Sequence, residues 1–196
     1  VREESGLKFQ FPENETVIKF DDTKFYRDYF NKLPNAKGVD FISVDKYKIA
    51  FIEVKNCIGD EGNCRWRIAP NNQKRNKTHT SVNVEGRDSL DIEMAQKTAM
   101  TIAALIGAKS FGDTKECLCE LREYIQFLSK DAFSDNSKKK YVILFLEGDF
   151  GGKTRSKKMI MKALQDSINK KLKWINCRVS VVDSDTYNTK LFQIVS

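Results

Sequence analysis

The fold is decided by the stretch Gly38-Val39-Asp40-Phe41-Ile42-Ser43-Val44-Asp45-Lys46-Tyr47-Lys48-Ile49-Ala50-Phe51-Ile52-Glu53-Val54-Lys55. Two runs rich in Val, Ile and Phe flank a short polar break, which is typical of a β-hairpin. With a symmetric turn, Asp45 faces Lys48, and the two residue numbers of every facing pair add up to the same total. Asp40 and Glu53 have that same sum, so we expect their side chains on one face, with Cβ atoms about 5 Å apart. Lys55 projects from the same face, because it lies two residues beyond Glu53.

Two opposed carboxylates are costly in such a hairpin. They repel each other, and an unpaired charge among apolar side chains is expensive. A divalent cation bound between Asp40 and Glu53 would offset both costs, and carboxylate oxygens are ligands that Mg²⁺ prefers. An alternative needs no metal: the strand face is exposed, and Lys55 with other cations neutralises two surface acids.

The motif resembles the PD-(D/E)xK signature of restriction-endonuclease-like nucleases. The resemblance rests on Val39-Asp40, a gap of twelve residues, and Glu53-Val54-Lys55, with Val39 in the place where the family name has Pro. It implies an α/β fold with a central mixed β-sheet flanked by helices. A single domain would span residues 1–196, with a core over residues 21–147 and a helix–strand extension over residues 148–196.

The same resemblance implies a reaction and a site. The expected reaction is Mg²⁺-dependent hydrolysis of phosphodiester bonds in nucleic acid, chiefly DNA, with Mn²⁺ able to substitute. The metal ligands would be Asp40, Glu53 and the main-chain carbonyl of Val54, while Lys55 would orient the attacking water or stabilise charge on the phosphate. Nucleases of this kind often add a Gln or Lys from the helix after the motif, which makes Gln96 a catalytic candidate beside Lys97.

Composition and charge favour a polyanionic partner. The chain has 196 residues, 40% of them hydrophobic, and a net charge of +7, so it can bury one core and attract nucleic acid. The segment from Asn56 to Asp88 is basic and carries an interleaved Trp, a combination that suits phosphate contacts and base stacking. The candidate nucleic-acid contacts are Arg65, Trp66, Arg67, Lys74, Arg75 and, further along, Lys153. The alternative is a solvated loop whose Trp66 packs on the core.

Several classes of protein are disfavoured. The five cysteines have no disulfide-framework or metal–thiolate spacing, which predicts a cytoplasmic protein in a reducing compartment. No apolar run approaches the roughly 20 residues that cross a bilayer, so no membrane partner is expected. A homodimer is compatible with these patterns.

Hydrophobic periodicity outlines the remaining elements. The predicted helices run from Asp21 to Leu33 with Asp21 as N-cap, from Asp88 to Ile106, from Thr114 to Ser129, and from Ser156 to Leu172. The predicted strands lie at Thr16 to Phe20, Tyr141 to Leu146 and Trp174 to Val182, with short ones at Arg65 to Ala69 or Ser81 to Val84, of which one would be the third strand of the sheet. The expected buried stripe of the Asp88 helix is Ile92, Ala95, Ala99, Ile102 and Ile106.

Two other functions stay open. The same fold could be a catalytically inactive module that binds nucleic acid. A nucleotide-binding P-loop is the weaker alternative, because the stretch from Glu147 to Thr154 has Glu147 where the first Gly of that motif belongs.

Overall fold

The computed structural model describes residues 1–72, 88–112, 116–129, 133–152 and 154–195. The strands are β1 (Arg2–Glu4), β2 (Leu7–Gln10), β3 (Thr16–Lys19), β4 (Phe41–Val44), β5 (Lys48–Asn56), β6 (Lys139–Glu147), β7 (Arg178–Val182) and β8 (Gln193–Val195). The α-helices are α1 (Lys24–Asp28), α2 (Glu61–Ile68), α3 (Leu90–Lys109), α4 (Arg122–Leu128) and α5 (Lys157–Lys171). Short 3₁₀ helices lie at Phe20–Asp22, Phe30–Lys32 and Glu116–Leu121.

A five-stranded mixed sheet forms the centre, in the order β3-β4-β5-β6-β7. The first three strands are antiparallel, while β5, β6 and β7 run parallel to one another. The predicted α/β class with a central mixed sheet is therefore confirmed. Strands β6 and β7 continue the same sheet across the predicted boundary between core and extension.

One of the two stretches predicted to supply the third strand of the sheet is not a strand, and a strand before the hairpin joins the sheet instead. That strand is β3, which pairs with β4. No strand lies between β5 and α3 in the described part of that segment. The stretch from Arg65 to Ala69 is not a strand, because helix α2 runs through it to Ile68. The other candidate, Ser81 to Val84, lies outside the described residues.

The hairpin has the predicted register. Val44 pairs with Ile49, and the amide of Asp45 donates to the carbonyl of Lys48 at 2.9 Å. The carboxylate of Asp45 closes the turn, since its Oδ1 accepts hydrogen bonds from the amides of Tyr47 and Lys48 at 2.6 and 2.8 Å. Continuing this register past the end of β4 brings Asp40 opposite Glu53.

Both faces of the sheet are covered, so the molecule has three layers. Helices α3, α4 and α5 pack on one face, over side chains that include Ile42, Phe51 and Leu144. A small antiparallel sheet, β1-β2-β8, covers the other face, where Phe9 packs against Phe41 and Phe145. Both strand faces near the motif are thus buried rather than exposed.

Two predicted helices are interrupted by 3₁₀ turns. The first is a single α-helical stretch, α1, between two 3₁₀ turns, and Asp21 does not cap it. Thr23 is the N-cap instead, because its hydroxyl oxygen accepts a hydrogen bond from the amide of Tyr26 at 3.1 Å. The helix predicted from Thr114 becomes α-helical only at Arg122, after the 3₁₀ turn Glu116–Leu121.

Helix α3 buries a different face from the one predicted. Its buried side chains are Leu90, Asp91, Met94, Thr98, Thr101, Ala104, Leu105 and Ala108, whereas Ile106 is 46% exposed. Thr101 belongs inside because its hydroxyl accepts a hydrogen bond from the buried amide of Val39 at 3.1 Å. The buried face of α3 therefore contains polar side chains, and it is not the apolar stripe that the sequence predicts.

The C-terminal elements lie close to their predicted positions. Ser156 is the N-cap of α5, with its hydroxyl accepting from the amide of Met159, and β7 is shorter than the predicted strand. In the parts of the chain that the structure describes, none of the helices has the length and apolar character needed to cross a bilayer.

Candidate active site

Asp40 and Glu53 lie on the helix-covered face of the hairpin and are both buried. Asp40 precedes β4, and its Oδ2 accepts a hydrogen bond from the amide of Val54 at 2.7 Å. Its main-chain carbonyl accepts a hydrogen bond from the amide of Phe20 at 3.1 Å, so hydrogen bonds hold both the side chain and the main chain of Asp40. Glu53 is only 1% exposed and lies in the middle of the sheet on β5. The strand pair thus delivers two acids to one buried position.

Two ammonium groups neutralise these acids. Glu53 Oε1 lies 2.5 Å from Lys55 Nζ and 2.6 Å from Lys97 Nζ. Lys97, which comes from α3, also lies 3.5 Å from Asp40 Oδ1, so one cation serves both carboxylates. The charge compensation that the sequence requires is therefore present within the chain, and it comes from the helix that covers the hairpin.

Among the described residues, one carboxylate oxygen of Glu53 has no hydrogen-bond partner. Its Oε2 is buried and accepts no hydrogen bond from the described residues. Burial, reinforced by the charge of Asp40, raises the pKa of Glu53 to about 7, although Lys55 and Lys97 act to lower it. Burial acts to lower the pKa of Lys97, but Glu53 and Asp40 outweigh it and raise that pKa. Glu53 is thus a carboxyl group that can gain or lose a proton near neutral pH.

A third acid extends the cluster. Glu93 Oε1 lies 3.4 Å from Lys55 Nζ, and Glu93 Oε2 forms an ion pair with Arg67 of α2. Burial acts to raise the pKa of Glu93, but Lys55, Arg67 and Lys97 hold it below its ordinary value. Acids and cations alternate through the cluster, whose members are Asp40, Lys97, Glu53, Lys55, Glu93 and Arg67.

Sequence reasoning assigned no role to Glu93 and none in this cluster to Arg67. A signal for Glu93 was present, because Glu93 and Lys97 stand four residues apart and so share one side of α3. Arg67 was predicted as a nucleic-acid contact in a loop, but it lies on α2 and is 8% exposed.

Gln96, Arg65 and Trp66, the other predicted site residues that the structure describes, are not members of this cluster. Gln96 is exposed, and its Oε1 accepts a hydrogen bond from Lys37 Nζ at 2.9 Å. Its neighbour Lys97 enters the cluster instead. Arg65 is exposed on α2, while Trp66 is half-buried with its indole nitrogen enclosed. Lys74, Arg75 and Lys153 lie outside the described residues.

The donor set suits a hard cation that needs few protein ligands. Asp40 and Glu53 supply carboxylate oxygens, and the buried Glu53 Oε2 accepts no hydrogen bond from the part of the chain that the structure describes. Within the described ranges, no group of three or more His, Cys, Asp or Glu side chains is arranged to hold a metal ion. Mg²⁺ is usually bound through one or two carboxylates plus substrate phosphates, so two acids are sufficient for it but not for a closed protein cage.

A profile of a family described as "Family of unknown function (DUF6661)" matches residues 23–196. The chain belongs to this family. All six residues of the cluster fall within the DUF6661 match, whereas β1, β2 and β3 precede it. No curated protein and no solved structure matches the chain.

Proposed function

We propose that this DUF6661 protein is a Mg²⁺-dependent nuclease that hydrolyses phosphodiester bonds, with DNA as the expected substrate. One observation carries the proposal: Asp40 and Glu53 face each other across a buried hairpin, where Glu53 Oε1 pairs with Lys55 and Glu53 Oε2 is buried without a hydrogen-bond partner among the described residues. The mixed sheet, with its antiparallel hairpin and a parallel strand after α3, supports the resemblance to the restriction-endonuclease-like core.

In this proposal Asp40 and Glu53 hold the metal, with the main-chain carbonyl of Val54 as a further oxygen donor. A bound Mg²⁺ would polarise the scissile phosphate and lower the pKa of a water molecule. The carboxylate of Asp40 is already oriented by the Val54 amide, so little rearrangement of that side chain is needed. Glu53 must bind as the anion, and its raised pKa means that metal binding displaces a proton below about pH 7.

Lys55 supplies the positive charge next to the reacting phosphate. Its side chain is 21% exposed, so Lys55 can face both the carboxylates and a bound polyanion. A positioned cation that meets developing negative charge lowers the barrier without strengthening ground-state binding. Lys97 is more enclosed, at 15% exposure, and provides a second positive charge in place of the predicted Gln96.

A second function is favoured by the charge balance of the cluster. Three acids and three cations face each other within the described residues, so their charges cancel without a metal whenever Glu53 is ionised. An inactive module that binds nucleic acid would have this property if the ion pairs served only to join the sheet to α2 and α3. The net charge of +7 is compatible with either function.

A cleavage assay separates the two functions. Supercoiled plasmid, single-stranded DNA and RNA are incubated with the protein in Mg²⁺ or Mn²⁺, and in chelator. The nuclease hypothesis expects metal-dependent cleavage that Asp40→Asn and Glu53→Gln abolish. Asp45→Asn is the matched control on the same hairpin, because an Asn side chain can still accept the turn hydrogen bonds. Binding to nucleic acid without cleavage under any of these conditions would favour the inactive module.

A further inference from the structure

We propose that Glu93, fixed by Arg67, is a positioning residue that holds the ammonium of Lys55 beside the metal-binding carboxylates. The inference rests on the proposed nuclease function and names residues that the motif does not contain. It concerns the part of the cluster built by α2 and α3, which is separate from the hairpin.

The position of the Lys55 ammonium is the first argument for this role of Glu93. This ammonium lies between two carboxylates, 2.5 Å from Glu53 Oε1 and 3.4 Å from Glu93 Oε1. No other acid of the described chain lies within ion-pair distance of Lys55. When Glu53 engages a metal ion, its attraction for Lys55 weakens, because the cation takes up part of its charge. Glu93 is then the carboxylate that keeps the ammonium in place.

Arg67 carries the second step. It pairs with the other oxygen of Glu93, so the carboxylate is held from both sides. The arginine is itself 8% exposed and its Nε is buried without a partner in the described part of the chain. A guanidinium so enclosed is poorly placed to contact a substrate, but it is well placed to fix the rotamer of its acid.

The rival explanation is that the Glu93–Arg67 pair serves only to join α2 to α3. A joining role affects folding whether or not Lys55 is present. A positioning role acts through Lys55 and disappears once Lys55 has been removed. A double-mutant cycle distinguishes these cases, because residues that act through one another are not additive.

The cycle compares wild type, Glu93→Gln, Lys55→Ala and the double variant by cleavage kinetics in Mn²⁺, with metal affinity measured by calorimetry. We expect Glu93→Gln to lower kcat by about tenfold to a hundredfold, since small displacements of a catalytic group have effects of that order. KM and metal affinity should stay near wild type, and the double variant should be no slower than Lys55→Ala. Asp166→Asn, which removes an exposed acid paired with Lys162 on α5, is the control and should leave kcat unchanged. An equal further loss of kcat in the Lys55→Ala background would overturn the inference.

A readout without catalysis keeps the inference separable from the proposed function. Crystal structures of wild type and Glu93→Gln with Mn²⁺ report the position of Lys55 whether or not the protein cleaves. We expect the ammonium next to residue 93 in wild type and turned away in the variant. The same Lys55 position in both crystals contradicts the positioning role. Absence of cleavage by wild type contradicts the nuclease function instead.

Discussion

Lys97 Nζ lies 2.6 Å from Glu53 Oε1, and the same ammonium reaches Asp40. A buried acid pair thus receives a counter-charge from the helix that covers it. A metal that binds these carboxylates must compete with an ammonium already present. Lys97 therefore stabilises the metal-free protein and opposes metal binding.

Lys97→Met should therefore separate stability from metal affinity. Removing one partner of a buried ion pair costs about 3–5 kcal/mol, because the other charge remains buried. The apo variant should unfold at a lower temperature at pH 8, while the increase in Tm caused by Mn²⁺ should be larger than in wild type. Lys37→Met, which removes a lysine that donates a hydrogen bond to the neighbouring Gln96, controls for loss of surface charge. A smaller Mn²⁺ effect in Lys97→Met would mean that Lys97 assists metal binding rather than opposing it.

Glu53 should make the free energy of unfolding depend on pH between about 4.5 and 7. Its folded pKa of about 7 lies above the ordinary value of 4.5, so the folded state binds a proton that the unfolded state lacks in this range. The contribution of Glu53 to the free energy of unfolding is largest below its pKa in the unfolded state. It falls as pH rises through its pKa in the folded state, by at most about 3 kcal/mol. The lowered pKa of Glu93 and the raised pKa of Lys97 act outside this window, at lower and higher pH.

Urea unfolding at pH 5, 6 and 7 in chelator tests this dependence. Glu53→Gln should flatten the decline, because an amide does not titrate. A decline of equal size in the variant would assign the pH dependence to another group.

The hairpin was predictable from sequence, whereas the rotation of α3 was not. Pairing in a hairpin follows from the turn, so the facing of Asp40 and Glu53 could be predicted from residue numbers alone. On a helix, one residue corresponds to about 100° of rotation, and the apolar stripe is the usual guide. Thr98 and Thr101 lie on the buried face of α3, so the apolar stripe predicts a different buried face from the observed one.

The same rotation explains the choice of Gln96 over Lys97. Once Thr101 faces the sheet, Lys97 reaches the carboxylates and Gln96 turns to solvent. Helix α2 was missed for a different reason, since its Gly- and Asn-containing sequence has low helix propensity. Packing against the rest of the protein decides that segment, and with it the burial of Arg67.

Asp91 should stabilise the fold far more than a surface acid on the same helix pair. It is fully buried and joins α3 to α5 through Lys171 Nζ and Ser167 Oγ, both at 2.7 Å. Asp91→Ala should cost about 3 kcal/mol, because Lys171 loses its buried partner. Asp166→Ala removes an exposed partner of Lys162 and should cost no more than about 0.5 kcal/mol. Urea denaturation measures both, and equal losses would show that Asp91 is not essential to the α3–α5 contact.

Lys55→Ala and Glu53→Gln should have different effects on metal binding. Lys55→Ala should lower the cleavage rate to a small residual value with metal affinity intact or slightly higher, since an ammonium cannot ligate Mg²⁺ and its removal leaves the acids less compensated. Glu53→Gln should abolish both cleavage and metal binding. Calorimetric titration alongside the cleavage assay tests the pair of variants. Cleavage by Lys55→Ala at the wild-type rate would remove its assigned role and make Lys97 the next residue to test.

Arg65 and Arg67 should differ in their contribution to nucleic-acid binding, although both lie on α2. Arg65 is exposed, whereas Arg67 is enclosed and paired with Glu93. Each phosphate contact that is lost reduces the slope of log K against log[salt] by about 0.9 for duplex DNA and about 0.7 for single strands. Arg65→Gln should therefore flatten the slope by about this amount without altering stability. Arg67→Gln should leave the slope unchanged and lower the unfolding temperature, because Glu93 loses its buried partner.

Binding measured at several salt concentrations, with thermal unfolding of the same samples, gives both quantities. If Arg67→Gln flattens the slope as much as Arg65→Gln does, the Glu93–Arg67 pair opens when nucleic acid binds, and Arg67 contacts phosphate as its basic sequence context predicts.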